Sequence, residues 1–388
     1  MTSYSVDDPF GLAADHTDEE RLIAATVRDW VRRRFLPIVV EAWRAGALPA
    51  ELGGELGELG LLGMHLEGYG CAGTSATAYG LACLELEAGD SGLRSFVSVQ
   101  GSLAMFAIHA FGSEEQKQRW LGPMADGEVI GCFGLTEPDA GSDPSAMRTT
   151  ARRDGDGWVL NGAKMWITNG SRAGVAVVWA KTDEGIRGFL VPAGTDGFRA
   201  IDVKDKLSLV ASTTSELVLE DCRLGADSLL PGASSLRGPL ACLNEARYGI
   251  VWGAVGAARA CLEAAIEYTA TRVAFGGPIA ARQIVQQELV EMHVAVNNGL
   301  LLATRIGRLK DQGRVTPEHI SYGKFNNVRM ATDVARRARA LLGANGITLE
   351  YPVMRHLVNL ESVLTYEGTH QIHTLILGKA LTGHAAFE

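Results

Sequence analysis

Apolar residues recur at helical spacing through the first third of the chain. Leu22, Ile23, Val27 and Val31 form one such stretch, and a second lies near residues 59–62. Because apolar side chains that return every three to four residues line one face of a helix, this spacing predicts helices from about residue 17 onward. We therefore expect an N-terminal α-helical domain over residues 1–127.

The pattern changes near residue 129 to short runs rich in β-branched and aromatic residues. Val-Ala-Val-Val-Trp at residues 175–179 and Gly-Phe-Leu-Val at residues 188–191 are examples, and Asp-Gly-Asp-Gly at residues 154–157 is a turn sequence. Runs of this kind separated by turn residues are typical of strands joined by hairpins. The sequence predicts a central, mostly antiparallel β domain over residues 128–232.

Long helical patterns return after residue 232. Ile284, Leu289 and Met292 begin one apolar stretch, and Phe325 and Val328 begin another. These stretches are long enough for a four-helix bundle, which we place at residues 233–388. The predicted fold class is α+β multidomain, with an N-terminal α-helical domain, a central antiparallel β domain and a C-terminal four-helix bundle.

Composition narrows the function classes. The chain has 388 residues, of which 47% are hydrophobic and 21% are charged, and its formal net charge is −9. This composition is typical of a folded globular protein, and the length suits two or three domains. The acidic balance disfavours binding to nucleic acid, because contacts with phosphates need clustered cations.

Cysteines and the N-terminal sequence bear on the compartment. The six cysteines are scattered, with no Cys-x-x-Cys pair and no histidine spacing suited to zinc, which predicts reduced thiols and no metal site. Residues 1–8 are acidic and lack the basic and apolar parts of a secretory signal. No continuous apolar stretch reaches the length of a membrane span, so we expect a cytoplasmic protein without membrane insertion.

A carboxylate near the C-terminus is the strongest candidate for chemistry. The mostly apolar run at residues 357–364 breaks at Thr-Tyr-Glu-Gly-Thr-His, residues 365–370, and helical spacing resumes at Ile372. Glu367 should therefore lie at a turn between two helices, where apolar surroundings would raise its pKa toward that of a general base. Taken alone, the position favours a simpler interpretation, in which Glu367 opens the next helix and interacts with its dipole.

Two segments of the β region carry groups suited to a cofactor. A strand-like run at residues 131–135 leads into Thr-Glu-Pro-Asp-Ala-Gly-Ser-Asp at residues 136–143, whose hydroxyls and backbone amides could hold a heterocycle or a phosphate. In residues 164–169, strand alternation puts Trp166 and Thr168 on one face. The simpler alternatives are a β-turn capped by Asp139 and Ser142, and a tryptophan packed in the core.

An arginine of the first domain offers a place for an anionic group. If Asp90 caps a helix, Arg94 and Ser98 project from the same face one turn apart. A guanidinium beside a hydroxyl suits a carboxylate, through charge-assisted hydrogen bonds. The alternative is an ion pair of Arg94 with Glu85 or Glu87, at the surface or between subunits.

Together, in this order and over essentially the whole chain, these segments resemble the acyl-CoA dehydrogenase family. The stretches at residues 133–142 and 166–168 look like its two flavin-binding segments, and residues 340–344 look like the segment that approaches the FAD pyrophosphate from a neighbouring subunit. The resemblance implies FAD as cofactor in a homotetramer. The FAD contacts it implies are Phe133, Leu135, Thr136, Gly141, Ser142, Trp166, Ile167, Thr168, Arg272, Phe275, Gln283, Leu341, Leu342, Gly343, Thr369 and Gln371.

Within the family, the likeness is greatest to the glutaryl-CoA dehydrogenases, and residues 68–73, 90–95, 242–249 and 359–370 carry it. It implies that Glu367 removes the α-proton of the thioester and that glutaryl-CoA is oxidised and decarboxylated to crotonyl-CoA, as in lysine and tryptophan degradation. Electrons would leave to an electron-transferring flavoprotein. The acyl-CoA contacts it implies are Glu87, Arg94, Ser95, Ser98, Ser142, Leu243, Asn244, Arg247, Tyr366 and Gly368.

Four positions depart from the family pattern. Ala344 replaces a glycine, Glu245 and Leu364 stand where asparagines are usual, and Val210 replaces an arginine. Ala344 and Glu245 bear on the affinity for cofactor and CoA, and Leu364 bears on the polarity of the acyl pocket.

Three other interpretations stay open at this level. The same scaffold could act on another acyl thioester, bound to CoA or to a carrier protein, in secondary metabolism. The Glu-x-x-His spacing of Glu367 and His370 occurs in di-iron bundles, which need a second such motif and two further carboxylates, and the bundle region holds no second Glu-x-x-His. A non-catalytic helical scaffold would not explain the predicted base and the flavin segments.

Overall fold

The computed structural model describes residues 5–6 and 8–386. Their contacts group them into two compact units. The sheet unit comprises Glu41–Thr74 and Ser95–Ala246, and the helical unit comprises the described residues up to Val40, Ser75–Arg94 and those from Arg247 onward. The residues predicted as one N-terminal domain are thus divided between both units.

Helices occupy both ends of the chain. Some begin at side-chain caps: Thr17 and Glu20 form a reciprocal capping box at the start of the first long helix, with hydrogen bonds of 3.1 and 2.9 Å. In chain order the helices are α1 (Asp18–Trp30), α2 (Val39–Ala45), α3 (Leu52–Glu58), α4 (Ala76–Gly89), α5 (Ser91–Ser98), α6 (Phe106–Phe111), α7 (Glu114–Ala125), α8 (Arg237–Thr271), α9 (Gln283–Asp311), α10 (Pro317–Leu341), α11 (Pro352–Thr365) and α12 (His370–Thr382).

A sheet of seven strands lies between α7 and α8 in the sequence. Two short hairpins stand apart from it, β1 with β2 and β10 with β11. In chain order the strands are β1 (Glu67–Gly68), β2 (Cys71–Ala72), β3 (Gly131–Gly134), β4 (Thr150–Asp154), β5 (Gly157–Thr168), β6 (Val175–Thr182), β7 (Gly185–Pro192), β8 (Phe198–Asp202), β9 (Thr214–Leu224), β10 (Val273–Ala274) and β11 (Gly277–Pro278).

The seven strands follow the order β3-β6-β4-β5-β9-β8, with β7 paired to β6. Most pairs are antiparallel, as predicted, but β3 runs parallel to β6, and a single bridge between β4 and β6 is also parallel. Apolar side chains alternate along these strands and pack into one core that includes Trp158, Val178, Phe189 and Leu217. The predicted α+β class is confirmed.

Helix α8 corrects one expectation from the sequence. By length and composition alone it could cross a membrane, contrary to the prediction that no stretch could. However, 72% of its most apolar window is buried inside the protein. Burial of this extent is typical of a core helix, and it explains the apolar composition of that window. The six cysteines are free thiols.

Candidate active site

Glu367 lies in the turn between α11 and α12, as the sequence predicts. The first helix ends at Thr365, and the second begins at His370 after Thr369, whose hydroxyl accepts a hydrogen bond of 3.3 Å from the amide of Ile372. Thr369 therefore caps α12, so Glu367 does not open that helix. The backbone turns through two positive φ angles, +52° at Glu367 and +92° at Gly368.

The carboxylate of Glu367 is poorly solvated. Its Oε2 atom is buried and accepts no hydrogen bond within the described residues. Burial raises the pKa of Glu367 above its ordinary value, while the nearby cations Arg94, Lys324 and Arg247 act in the opposite direction. A carboxylate with a raised pKa and an uncommitted oxygen is suited to accept a proton from carbon.

Cations hold the backbone of this turn. Arg247 on α8 is buried, and its Nε donates to the carbonyl of Glu367 at 2.6 Å. A Cβ at Gly368 would lie 3.1 Å from both Arg247 Nη2 and His373 Nε2, tighter than ordinary contacts. Together with its φ, this crowding explains why glycine follows the candidate base.

Arg94 and Glu87 form a buried ion pair beside the same turn. Both side chains are fully buried, and Arg94 Nε donates to Glu87 Oε2 at 2.7 Å. Arg94 also hydrogen-bonds the hydroxyl of Tyr366, and its guanidinium carbon lies 5.7 Å from the centre of that ring. The Nη1 atom of Arg94 makes no hydrogen bond within the described residues. Arg94 thus pairs with Glu87, as in the alternative interpretation, but the pair is buried within the chain and is not a surface contact.

Asp90 caps α5 as predicted. Its Oδ1 accepts from the amide of Gly92 at 2.6 Å, while Oδ2 accepts from Arg355 at 2.5 Å and from Asn359 at 3.0 Å. Arg94 follows Asp90 by one helical turn. The cap and its two partners on α11 therefore fix the start of the helix that carries Arg94.

The other predicted acyl-CoA residues lie on α5, α8 and the loop after β3. Ser95 and Ser98 are buried, and the Ser98 hydroxyl makes no hydrogen bond within the described residues. Leu243 and Asn244 are half-buried on α8 and precede Arg247 by about one turn. Ser142 is exposed. These five residues all belong to the sheet unit, whereas Arg94 and Glu367 belong to the helical unit.

The two predicted flavin segments meet within the sheet unit. The amide of Met165 donates to the carbonyl of Thr136 at 2.8 Å, which joins residues 133–142 to residues 164–168. Beneath this junction, the buried Lys164 donates to the carbonyl of Leu135 at 3.2 Å and to Glu137 at 2.8 Å.

Glu137 stabilises the loop that follows this junction. Its carboxylate accepts from the amides of Arg148 and Thr149 at 2.5 and 2.9 Å. The carboxylates that cap this loop are thus Glu137 and Asp143, which accepts from the amide of Ser145, and not Asp139 with Ser142 as in the simpler alternative. Phe133 and Leu135 are buried, Thr136 is half-buried and Gly141 is exposed.

Trp166 does not pack in the β core. Its side chain is 58% exposed, its φ is +65°, and the register of β5 against β9 shifts between Lys164 and Ile167. Ile167 is buried, whereas Thr168, two residues beyond Trp166, is half-buried. The bulge therefore turns an aromatic plane outward beside a hydroxyl.

The remaining predicted FAD residues are largely accessible within the helical unit. Phe275, at the tip of the β10–β11 hairpin, is 96% exposed. The side chain of Leu342 is buried within this chain, so only its backbone is available to a cofactor. The exposed residues are Arg272, Gln283, Gly343 and Gln371, and the half-buried ones are Leu341 and Thr369.

Lys324 is a site residue that the sequence reasoning missed. It lies on the buried face of α10, and its ammonium group donates to the carbonyl of Gly368 at 2.6 Å and to that of Tyr366. The available signal was its spacing, because Lys324 falls four residues after Ile320 and four before Val328 in the apolar stripe. A lysine in such a stripe must find partners or lose its charge.

Three family profiles match the chain in order. They are the acyl-CoA dehydrogenase N-terminal domain at residues 17–128, the middle domain at residues 132–222 and the C-terminal domain at residues 237–382. The mitochondrial short-chain specific acyl-CoA dehydrogenase of Homo sapiens is 37% identical over 368 residues, which is 93% of this chain and 89% of that protein. The chain belongs to the acyl-CoA dehydrogenase family.

Solved structures of this family share the fold along the whole chain. A glutaryl-CoA dehydrogenase from Mycobacterium smegmatis is 63% identical with a TM-score of 0.98, and both chains are covered completely. Another structure of a glutaryl-CoA dehydrogenase from that organism, in complex with FADH2, is 59% identical with a TM-score of 0.98 and complete coverage of both chains. The family recognised from the sequence is thus confirmed, and the chain is an acyl-CoA dehydrogenase-like oxidoreductase and flavoprotein.

The residues of this acyl-CoA dehydrogenase chain suit a flavin. Trp166 offers an exposed aromatic plane, and the partly accessible Thr136 and Thr168 carry hydroxyls for a polar heterocycle. These groups lie in the segments joined by the Met165–Thr136 hydrogen bond, so the sequence assignment and the local structure agree.

Proposed function

We propose that the enzyme oxidises glutaryl-CoA and decarboxylates the product to crotonyl-CoA, with FAD as cofactor. The observation that carries this proposal is the Arg94–Glu87 pair. Arg94 is fully buried, its Nη1 atom makes no hydrogen bond within the described residues, and it lies in the same cluster as Glu367. A buried guanidinium with an uncommitted donor is suited to the terminal carboxylate of a dicarboxylic acyl group.

The balance of charge around Glu367 favours an acidic substrate. Three cations, Arg94, Arg247 and Lys324, act on it together with one other carboxylate, Glu87. With Lys324 protonated and both carboxylates ionised, the cluster carries one excess positive charge. A substrate carboxylate would neutralise this excess, whereas a plain alkyl chain would leave it buried and uncompensated.

The chain's own residues supply the proton transfer. Glu367 takes the proton from the α-carbon of the thioester, and burial of its carboxylate strengthens it as a base. When bound, FAD supplies the acceptor for the β-hydrogen and its two electrons. Phe133–Thr136 and Trp166–Thr168 are the segments of the sheet unit that would hold the flavin.

The second reaction step is redox-neutral. The bond between the γ-carbon and the terminal carboxylate breaks, carbon dioxide leaves, and the electron pair delocalises toward the thioester. A proton then returns to the γ-carbon and gives crotonyl-CoA. Protonated Glu367 would return this proton, since its raised pKa favours the protonated form.

Mass spectrometry of the acyl-CoA products tests the proposal. The purified enzyme is incubated with glutaryl-CoA and an artificial electron acceptor, and crotonyl-CoA is the expected product. Glutaconyl-CoA as the final product would refute decarboxylation. A yellow, folded enzyme that oxidises butyryl-CoA but leaves glutaryl-CoA unchanged would refute the substrate.

A second candidate is the oxidation of a short-chain acyl-CoA. The 37% identity to the human short-chain specific enzyme favours it. The ratio of kcat/KM for glutaryl-CoA and butyryl-CoA separates the two proposals. A carrier-bound acyl thioester, offered beside its CoA form, would test the further alternative from the sequence.

The electron acceptor and the assembly follow from the same family likeness. We propose an electron-transferring flavoprotein as acceptor and a homotetramer as the assembly. Exposed apolar side chains on the β10–β11 hairpin and α9 support association with further copies of the chain; they are Val273, Phe275, Ile284, Val290 and Val294. Sedimentation at about four times the chain mass of 41.3 kDa is expected; a monomer or a dimer would contradict it.

A further inference from the structure

We propose that Lys324 is a positioning residue of the reaction, which fixes the turn carrying Glu367 and favours the ionised form of that carboxylate. The inference rests on the proposed role of Glu367 as base. It assigns to α10 a part in catalysis, although none of the predicted acyl-CoA contacts lies on this helix.

The hydrogen bonds of Lys324 converge on a single turn. Its ammonium nitrogen lies within donor distance of three successive carbonyls, those of Tyr366, of Glu367 at 3.5 Å and of Gly368 at 2.6 Å. An ammonium group has three donors and no acceptor, so this set matches its capacity. The three carbonyls belong to the turn in which Glu367 and Gly368 both have positive φ angles.

Burial of the Lys324 side chain argues against a purely structural role for this residue. The residue is 2% exposed. A neutral side chain at this position would avoid the cost of burying a charge, as the apolar residues on the same face of α10 do. A buried ammonium group at this position is explained if its charge acts on the neighbouring carboxylate of Glu367.

The charges around Glu367 indicate the direction of that action. Burial raises the pKa of Glu367, Lys324 and the two arginines lower it, and Glu87 on α4 raises it further. On α12, burial lowers the pKa of His373 to about 3, so that ring is neutral at the pH of the reaction. Burial also lowers the pKa of Lys324 to about 7, against the attraction of Glu367. Its charge is therefore present on the acid side of neutrality, and there it opposes the raised pKa of Glu367.

Two substitutions separate the charge from the hydrogen bonds. Lys324→Gln removes the charge and keeps a neutral N–H donor on a side chain one bond shorter, whereas Lys324→Met removes both the charge and the donor. A base works only when deprotonated, so the rate is lost as the pH falls through its pKa. Without the cation, the pKa of Glu367 rises, and the acid limb of the kcat/KM profile should move to higher pH by about one unit. Lys324→Met should in addition lower kcat at every pH.

A variant elsewhere on α10 controls for packing. The buried Asn327 donates to the carbonyls of Val251 at 2.8 Å and Gly299 at 3.1 Å and makes no hydrogen bond to the turn. Asn327→Ala should lower the unfolding temperature without moving the acid limb. A shift of the limb in Asn327→Ala equal to that in Lys324→Gln would show that loosened packing is the cause and would refute the proposal.

The outcomes also distinguish this inference from the proposed function. If Glu367→Gln is inactive and a folded, yellow Lys324→Gln keeps the parental acid limb with butyryl-CoA and glutaryl-CoA, only the role of Lys324 fails. If Glu367→Gln stays active, the base assignment fails first. Should Lys324→Gln not fold, Lys324→Arg carries the test, because it keeps the charge and must keep the acid limb. A shifted limb there would contradict the proposal.

Discussion

Glu367 occupies the left-handed region of the backbone, with φ of +52°. For a residue with a side chain beyond Cβ, this conformation costs about 1–2 kcal/mol. The contacts of Arg247 and Lys324 with neighbouring carbonyls keep the turn in place. Strain of this kind is tolerated where the surrounding structure fixes it, and here it aims a carboxylate.

Replacing Glu367 by glutamine should abolish most turnover while the protein stays folded and yellow. The amide keeps the shape of the side chain but cannot accept the α-proton, and loss of a general base costs about 10²–10⁴-fold in kcat. Stopped-flow measurement of flavin reduction tests this directly. Glu361→Gln, an exposed position on α11, is the matched control and should reduce at the parental rate. A Glu367→Gln enzyme within a factor of two of the parent would contradict the assignment.

Arg94 and Glu87 should depend on each other for stability. Arg94→Gln leaves the Glu87 carboxylate buried without its partner, which costs about 3–5 kcal/mol in such pairs. In the double variant with Glu87→Gln, both charges are gone and most of the loss in unfolding temperature should be recovered.

The double variant should nevertheless fail to oxidise glutaryl-CoA, because the guanidinium proposed to bind its carboxylate is absent. Its activity with butyryl-CoA should fall less. Equal losses for the two substrates would indicate that Arg94 serves only the structure of the site.

Close packing of α8 against α4 fixes the ion pair of Arg94 and Glu87. A Cβ added to Gly253 on α8 would lie 1.9 Å from Glu87 Oε2, so no side chain fits there. We expect Gly253→Ala to lower the unfolding temperature and to impair glutaryl-CoA oxidation. Gly378→Ala on α12 is the control, since its Cβ would meet no atom within 4 Å. Alanine should stabilise that helix by about 0.5–1 kcal/mol. An unchanged Gly253→Ala protein would contradict the geometry.

Helices with one clear hydrophobic periodicity, and the turns that interrupt it, were predictable from the sequence. The interruption at residues 365–370 located the turn of Glu367, and the cap by Asp90 followed from its position before α5. The parallel pairing of β3 with β6 and the bulge at Trp166 were not predictable, because local alternation does not specify which strands become neighbours. The buried role of Lys324 depends on carbonyls 42 to 44 residues away.

At the scale of the whole molecule, the sequence predicted the order of helical and β segments, and contacts among the described residues group these segments into two compact units. Residues 1–127 contribute to both compact units. Periodicity identifies the apolar face of a helix but not the partner that covers it. The charged pairs between distant helices, such as Glu20 on α1 with Arg308 on α9 at 2.6 Å, had no local signal either.

Resistance of the folded protein to acid should depend on the buried pair of Lys164 and Glu137. Burial opposes ionisation of Glu137, but hydrogen bonds from Arg148 and Lys164 lower its pKa from 4.5 to about 2. Because the folded pKa lies below the unfolded one, the stabilisation is present above pH 4.5 and is lost as the pH falls toward 2.

Glu137→Gln should therefore unfold at a lower temperature than the parent at pH 6, and the gap should narrow at pH 3. Differential scanning calorimetry at the two values checks this. Asp139→Asn, which removes an exposed partner of Arg148, is the control and should shift the unfolding temperature little at either pH. A gap that stays constant with pH would contradict the linkage.

The proposed base, Glu367, lies in a connection of four residues, 366–369, between two helix ends. Each added residue lengthens the chain by up to about 3.8 Å, which exceeds the length of a hydrogen bond. Surface connections such as residues 183–184 between β6 and β7 can absorb an insertion, because their side chains are exposed. The 366–369 connection cannot lengthen without withdrawing its carbonyls from Lys324 and Arg247. Activity should therefore depend on the length of this connection more than on the identity of every residue in it. An insertion scan should find the 366–369 connection among the least tolerant in the protein.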